Sequence, residues 1–280
     1  MPTTRDESAV SESIEAPVTY LADDEDLAVY IASVGGGDVE PHEGNYLTHT
    51  VTIHDGRARD EGFSLDREGF ELVAQTSAVR DFYDDDAIAR VYEDEVERLV
   101  LEHTGAGRVE IFDHTRRSDS DDLRKQRVIR EPAATIHNDY TAESGPRRLR
   151  DHFSDAPDEA EKLLGGRFAI VNVWRSINGT VRRSPMTLCD ATSVTPDDLI
   201  PVKRQARDRI GEIQMVLYNP AHRWYYFPEM TMEEALLIKT FDSATDIPAR
   251  FTPHTAFGVP GAAADAPPRE SIETRCFVFF

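Results

Sequence analysis

The triplet His137-Asn138-Asp139 constrains this chain more than any other feature. It follows the apolar-flanked stretch Ala133-Ala134-Thr135-Ile136, which reads as the approach to a strand. In an extended strand, side chains two apart project to the same face, so the imidazole of His137 and the carboxylate of Asp139 converge on one point. A second imidazole from another strand completes a two-His-one-carboxylate set, which holds Fe(II) on one face and leaves the opposite positions open for a co-substrate and O2. His254 is the expected third ligand. Its competitor, His222, lies in the turn Asn219-Pro220-Ala221-His222-Arg223 and has no Arg-x-Ser after it at strand spacing. The triplet alone is common, and the plain alternative is a strand histidine bonded to a turn aspartate.

Downstream residues sharpen the reading. After His254 come Pro267-Pro268-Arg269-Glu270-Ser271 and a β-rich, mostly apolar segment to Phe280. Arg-x-Ser at the start of a final strand places a guanidinium and a hydroxyl on one face, suited to the distal carboxylate of a dicarboxylate. Arg275 shares that period-2 face and is a rival or helper for the same anion. A solvated Arg269 paired with Asp265 or Glu270 is the alternative. His-x-Asp, a distal His and Arg-x-Ser, in that order, is the layout of Fe(II)/2-oxoglutarate oxygenases.

The chain also resembles the group of Fe(II)/2-oxoglutarate oxygenases that includes cephamycin 7α-hydroxylase, fungal meroterpenoid endoperoxidases and gibberellin-desaturase-like proteins. The resemblance is carried by His137-Asn138-Asp139-Tyr140-Thr141, Asn172-Val173-Trp174-Arg175, Leu188-Cys189-Asp190-Ala191, Tyr225-Tyr226-Phe227-Pro228 and Pro268-Arg269-Glu270-Ser271-Ile272-Glu273. Upstream it takes in Leu65-Asp66-Arg67-Glu68-Gly69-Phe70 and Ile111-Phe112-Asp113-His114, so it covers Phe63 to the C-terminus. It implies a double-stranded β-helix, Fe(II), and 2-oxoglutarate with O2 as co-substrates. It leaves the substrate open.

The 280 residues are enough for one large domain with a substantial core. Residues 1–16 are polar, acidic and aperiodic, and are expected to form a flexible tail ahead of a single domain over 17–280. Two cysteines, Cys189 and Cys276, cannot form a disulfide framework and suit a reducing, cytoplasmic setting. No signal peptide and no apolar run long enough for a membrane helix is read. There are 52 acidic residues against 31 basic ones, only four of them lysine, giving a net charge of −21. So negative a surface argues against nucleic acid and anionic membranes as partners. Excess carboxylate with few lysines also fits a halophile's cytoplasm, where salt screens self-repulsion.

The hydrophobic pattern predicts a mainly β chain with flanking helices around a double-stranded β-helix (jelly-roll, cupin-like) core. Short β runs are expected in Val18 to Ala32 and Asn45 to His54, broken by Gly35-Gly36-Gly37, with Thr48 to His54 alternating as a strand. A helix capped by Asp84-Asp85-Asp86 is expected over Ala87 to His103, and a shorter one over Asp158 to Leu164. Arg116 to Lys125 and Glu143 to Arg150 read as charged loops. Strands follow over Phe168 to Trp174, Met186 to Cys189, Glu212 to Tyr218, Trp224 to Phe227, Ala235 to Phe241, Thr255 to Phe257 and Ile272 to Phe280. Tyr140, Trp174 and Tyr218 are candidate substrate contacts, each with a purely structural alternative.

The function expected is hydroxylation or desaturation of a small molecule, with release of succinate and CO2. Its rivals are a cupin-like metal enzyme that does not use 2-oxoglutarate and a metal-free β-barrel binding protein. The charge balance yields a separate expectation. The melting temperature should rise between low salt and molar KCl as carboxylate repulsion is screened. A flat or falling melting temperature would refute the salt-adapted reading and leave the site untouched.

Overall fold

In the computed structural model, residues 12–22, 29–31, 45–205, 210–263 and 265–280 are described. Strands dominate from the first of them. Strand β1 (Ser13–Leu21) is followed by β2 (Val29–Ile31), β3 (Tyr46–Asp55), β4 (Phe70–Ala74), β5 (Arg108–Ser118) and the short β6 (His137–Asn138). Then come β7 (Phe168–Ser176), β8 (Met186–Cys189), β9 (Leu199–Gln205), β10 (Ile210–Val216) and β11 (Trp224–Tyr226). The last three are β12 (Glu234–Asp242), β13 (His254–Ala256) and β14 (Glu270–Phe279). They form two sheets, a nine-stranded one in the order β1-β3-β11-β8-β13-β6-β10-β9-β2 and a five-stranded one in the order β4-β12-β7-β14-β5. The architecture is the double-stranded β-helix with flanking helices that the sequence pattern predicts.

The five-stranded sheet is covered on both faces, which is why β7 and β12 are buried almost without a break. On its outer face Val171, Val173, Ala235, Leu237, Ile272 and Val278 pack against a helical layer. That layer is α1 (Asp85–Ala87), a π-helical turn over Ile88–Tyr92, and α2 (Glu93–Thr104). Asp84 caps it as expected, its carboxylate accepting from the backbone N–H groups of Asp86 and Ala87 at 3.0 and 3.2 Å. Gly105 ends it in the left-handed conformation, φ 66°. On the inner face Trp174, Leu236 and Ile238 meet Met186 and Leu188 of the larger sheet. The strand period of two therefore divides each strand between the helical layer and the space between the sheets.

Three local readings change. The stretch from Arg116 is not a loop: β5 runs to Ser118, and α3 (Asp121–Arg127) follows, capped by Ser120. Glu143 to Arg150 is mostly α4 (Ser144–His152), followed by α5 (Pro157–Leu164). The Gly145-Pro146 pair looks like a helix breaker, yet both residues lie in the first turn of α4, where proline is tolerated. Gly145 is required there, because a Cβ would stand 2.7 Å from the Phe241 ring. Ser13 to Ala16, assigned by composition to the tail, pair with β3, and Ala16 is buried. Gly35-Gly36-Gly37 and residues 1–11 lie outside the described residues.

One glycine positions the site. Gly69 has φ 93°, and an added Cβ would stand 2.1 Å from the Thr252 hydroxyl oxygen. That hydroxyl donates to the Lys239 carbonyl at 2.6 Å and lies 3.1 Å from the Gly69 carbonyl. Thr252 in turn holds His254 through its own carbonyl. Gly69→Ala should therefore destabilise the protein by at least about 1–3 kcal/mol, through backbone strain and overpacking. Urea denaturation checks it; an unchanged midpoint would refute this account of Gly69.

Candidate metal centre

Strands β6 and β13 lie side by side at the centre of the large sheet, with His137 directly opposite His254. Opposed residues share a face, so both imidazoles emerge on the same side, 4.6 Å apart between ring centroids. Asp139 follows β6 with its Oδ1 3.7 Å from His137 Nε2. One ligand atom from each of the three lies within 4.8 Å of the others.

The surrounding bonds determine which atoms face inward. His137 Nδ1 lies 2.9 Å from the Thr135 carbonyl, and His254 Nδ1 lies 2.9 Å from the Thr252 carbonyl. A carbonyl only accepts, so each Nδ1 carries the proton and each Nε2 keeps its lone pair free for a metal. Asp139 Oδ2 accepts from the Asn172 amide at 2.7 Å and from Arg275 Nε at 3.0 Å, leaving Oδ1 toward the imidazoles. Burial, and then the charge of His254, push the His137 pKa down to about 3, so the ring is neutral at neutral pH. Burial alone would raise the Asp139 carboxyl, but Arg275 first, then the two imidazoles and Asn172, hold it well below the usual carboxylate range. Two imidazoles with their Nε2 sides inward and one carboxylate fit a divalent transition metal such as Fe(II).

The other sequence candidates separate. His222 lies apart from the triad's bonds, between the Tyr20 hydroxyl at 3.2 Å and Asp198 at 3.3 Å. Tyr218 is partly exposed and stacks on His49 at 3.9 Å, edge-on to Tyr20, in that same aromatic cluster. Tyr140 is buried next to Asp139, packed with Leu149, Phe241 and Phe277, and burial pushes its phenol up. Ser271 and Arg275 share one face of β14, and Arg269 immediately precedes the strand.

The two arginines differ in what they hold. Arg275 is fully engaged, donating to Asp139, to Asp113 at 2.7 Å, to Thr115 at 3.0 Å and to Glu273. Arg269 is 2% exposed, and among the described residues its side chain donates one hydrogen bond, from Nη1 to the Ser184 carbonyl at 2.6 Å. Among the described residues its Nε has no partner, and neither does the buried indole N–H of Trp174, over whose ring the guanidinium sits at 5.3 Å. Burial, then the nearby charge of Arg117, lower the Arg269 pKa to about 10. Asp119 grips the Arg269 backbone N–H instead, at 2.8 Å. Trp174 is the same-face neighbour of Asn172, roughly 7 Å along β7. The Arg269 guanidinium thus lies over Trp174, on the strand face that also carries Asn172.

Asn172, Asp113 and Glu273 carry roles that the motif reading did not assign. The signal lay in strand period: Glu273 alternates with Ser271 and Arg275, and Asn172 with Trp174.

Residues 18–279 match a family described as an oxidoreductase/YMDC permease-like domain. A hydroxylase/desaturase of Hormonema carpetanum is 33% identical, over 89% of this chain and 90% of that protein. A hydroxylase/desaturase of Cercospora beticola is 36% identical, over 88% and 81%. The solved structure of an iron and alpha-ketoglutarate-dependent endoperoxidase superposes with a TM-score of 0.82 at 28% identity, covering 96% of this chain and 98% of that one.

Loss of the bond to Asp139 gives a test of the metal centre. Asn172→Ala should weaken divalent metal binding by about 10–100-fold, the usual cost of removing a group that orients a ligand. Anaerobic Fe(II) titration measures it. Unchanged affinity would remove Asn172 from the site.

Proposed function

The chain belongs to the Fe(II)/2-oxoglutarate-dependent oxygenases, and from that premise we propose how its residues divide the work and that the outcome is hydroxylation or desaturation of a small molecule. The carrying observation is the meeting of His137, Asp139 and His254 with free ligand atoms. In this proposal they hold Fe(II). Bound there, Fe(II) supplies open positions for 2-oxoglutarate and O2 and the capacity to oxidise an unactivated C–H bond, with succinate and CO2 released.

Arg269 and Ser271 receive the distal carboxylate of 2-oxoglutarate. The support is the buried guanidinium with an unpaired Nε, two residues before a buried hydroxyl residue of β14. Arg275 orients Asp139 and is committed to carboxylates of the protein itself. Trp174 and Tyr140 bound the reaction space and keep water from it, as their burial beside Arg269 and Asp139 suggests. Tyr218 is left out, because its ring is occupied by His49 and Tyr20. A metal-free binding role is disfavoured by the intact triad, and a cupin-like enzyme without 2-oxoglutarate by the waiting Arg269.

The proposed setting is a reducing, salt-rich cytoplasm, supported by two buried free thiols and by the carboxylate excess. Among the described residues no helix is long and apolar enough to cross a membrane. We read the described strands as one catalytic domain.

Oxygen-dependent succinate formation from 2-oxoglutarate, stimulated by candidate small molecules, tests the activity. Arg269→Ala should weaken 2-oxoglutarate binding by well over tenfold and leave Fe(II) binding in place, because a buried charge-assisted pair is worth about 2–5 kcal/mol. Arg269→Lys should restore only part, since an ammonium lacks the planar fork. If Arg275→Ala alone abolishes 2-oxoglutarate binding, the anchor is Arg275.

A further inference from the structure

Resting on the oxygenase reading above, we propose that the molecule oxidised is an anion, and that Arg117 and Arg130 receive its carboxylate at the side of the metal centre. The register of β5 against β14 places Arg117 opposite Ser271, Thr115 opposite Glu273 and Asp113 opposite Arg275. Opposed residues share a face. Arg275 bonds both Asp113 and Asp139, so this row of β5 side chains faces the triad. Arg117 therefore leaves the sheet on the inner side, next to Ser271.

Arg130 is brought alongside it. The two arginines form an isolated parallel bridge, and the Ser118 N–H donates to the Arg130 carbonyl at 2.9 Å. Arg117 is aimed by a neutral group, its Nη1 donating to the Glu131 carbonyl at 2.8 Å. Among the described residues neither guanidinium is held in an ion pair, though the charge of Asp113 acts on Arg130. That is unusual company in a chain with 52 acidic and 31 basic residues, where Arg275 alone takes three carboxylates. Both residues are half-buried, whereas Arg269 is enclosed, so the pair occupies a more open part of the same region.

The electrostatics agree with this placement. Burial first, then the charges of Arg117, Arg204 and Arg275, push the Arg130 guanidinium down. The charge of Arg117 also reaches Arg269. Gathering like charges beside a metal centre costs stability unless an anion arrives between them, and two guanidinium forks match a carboxylate. The distal carboxylate of 2-oxoglutarate is assigned to Arg269, which leaves Arg117 and Arg130 for a second anion.

The test uses Zn(II)-loaded protein saturated with 2-oxoglutarate, titrated at low ionic strength with 4-fluorobenzoate and with 4-fluorobenzamide, observed by fluorine NMR. The acid should bind at least about tenfold more tightly than the amide. Arg117→Gln and Arg130→Gln should each weaken the acid by about fivefold or more and leave the amide unchanged, with Arg130→Lys recovering part of the loss. Should a variant fail to fold, the acid-to-amide ratio of the wild type still decides. Equal affinities, no saturable binding of the acid, or an acid affinity indifferent to both substitutions would overturn the proposal. If the protein takes up neither the metal nor 2-oxoglutarate, the oxygenase reading itself fails, which separates the two.

Discussion

The ion pair between Asp139 and Arg275 ties the two sheets together at the point where the chemistry is placed. Asp139 extends from β6 in the nine-stranded sheet, and Arg275 projects from β14 in the five-stranded one. A carboxylate withdrawn from water costs several kcal/mol unless it is paired and hydrogen-bonded. Here Arg275 and Asn172 take one oxygen and leave the other to the imidazoles. The same bonds thus close the sandwich, keep Asp139 ionised and aim its free oxygen. Removing Arg275 would leave Asp139, Asp113 and Glu273 without their shared cation, so structure and site are hard to separate at this residue.

The legible part of the sequence was the part governed by period two. His137, Ser271 and Arg275 were placed on their faces by alternation, and the registers of β6 and β14 agree with that placement. His254 was preferred to His222 on downstream spacing, and His222 is instead held by Tyr20 and Asp198. Less legible was everything decided by tertiary contact. Helix α4 was hidden behind Gly145 and Pro146, because the fit of Gly145 against Phe241 comes from a strand about a hundred residues later. Ser13 to Ala16 look like tail by composition, and only the pairing with β3 makes them strand. Asn172 and Arg117 carry no motif; their relevance comes from which neighbours the sheet register gives them.

Charge is distributed unevenly between surface and interior. Most exposed carboxylates are left to solvent, while inside the sandwich each acid near the triad is matched. Arg275 answers Asp139, Asp113 and Glu273, and Asp119 is occupied by a backbone N–H of Arg269 and by the Ser184 hydroxyl. What the interior leaves unanswered is positive. Such an arrangement draws anions to the centre of a molecule whose surface repels them, and selectivity then depends on passage through an acidic exterior. Added salt screens both fields, so any stability gained from relieved surface repulsion comes with weaker attraction of anions to the centre. Burial offers a way out, since enclosed pairs are screened far less than exposed ones.

An unpaired buried guanidinium does not by itself mark a ligand site, and Arg175 shows why. It is fully buried on β7 with Nε and Nη1 unpartnered, much like Arg269. Its Nη2 donates to the carbonyls of Gln75 and Met232, and the rings of Phe82 and Tyr92 lie 5.7 and 5.8 Å from its guanidinium carbon, just as Arg269 bonds the Ser184 carbonyl and sits over Trp174. Aromatic faces and carbonyl dipoles stabilise a cation without a counter-ion. Arg175 alternates with Trp174 along β7 and therefore points to the outer face, into the helical layer with Tyr92. Arg269 points to the inner face, the one that carries Asn172 and the triad. The two arginines share burial and missing partners, and the side of the sheet is what separates a structural cation from one that waits for an anion.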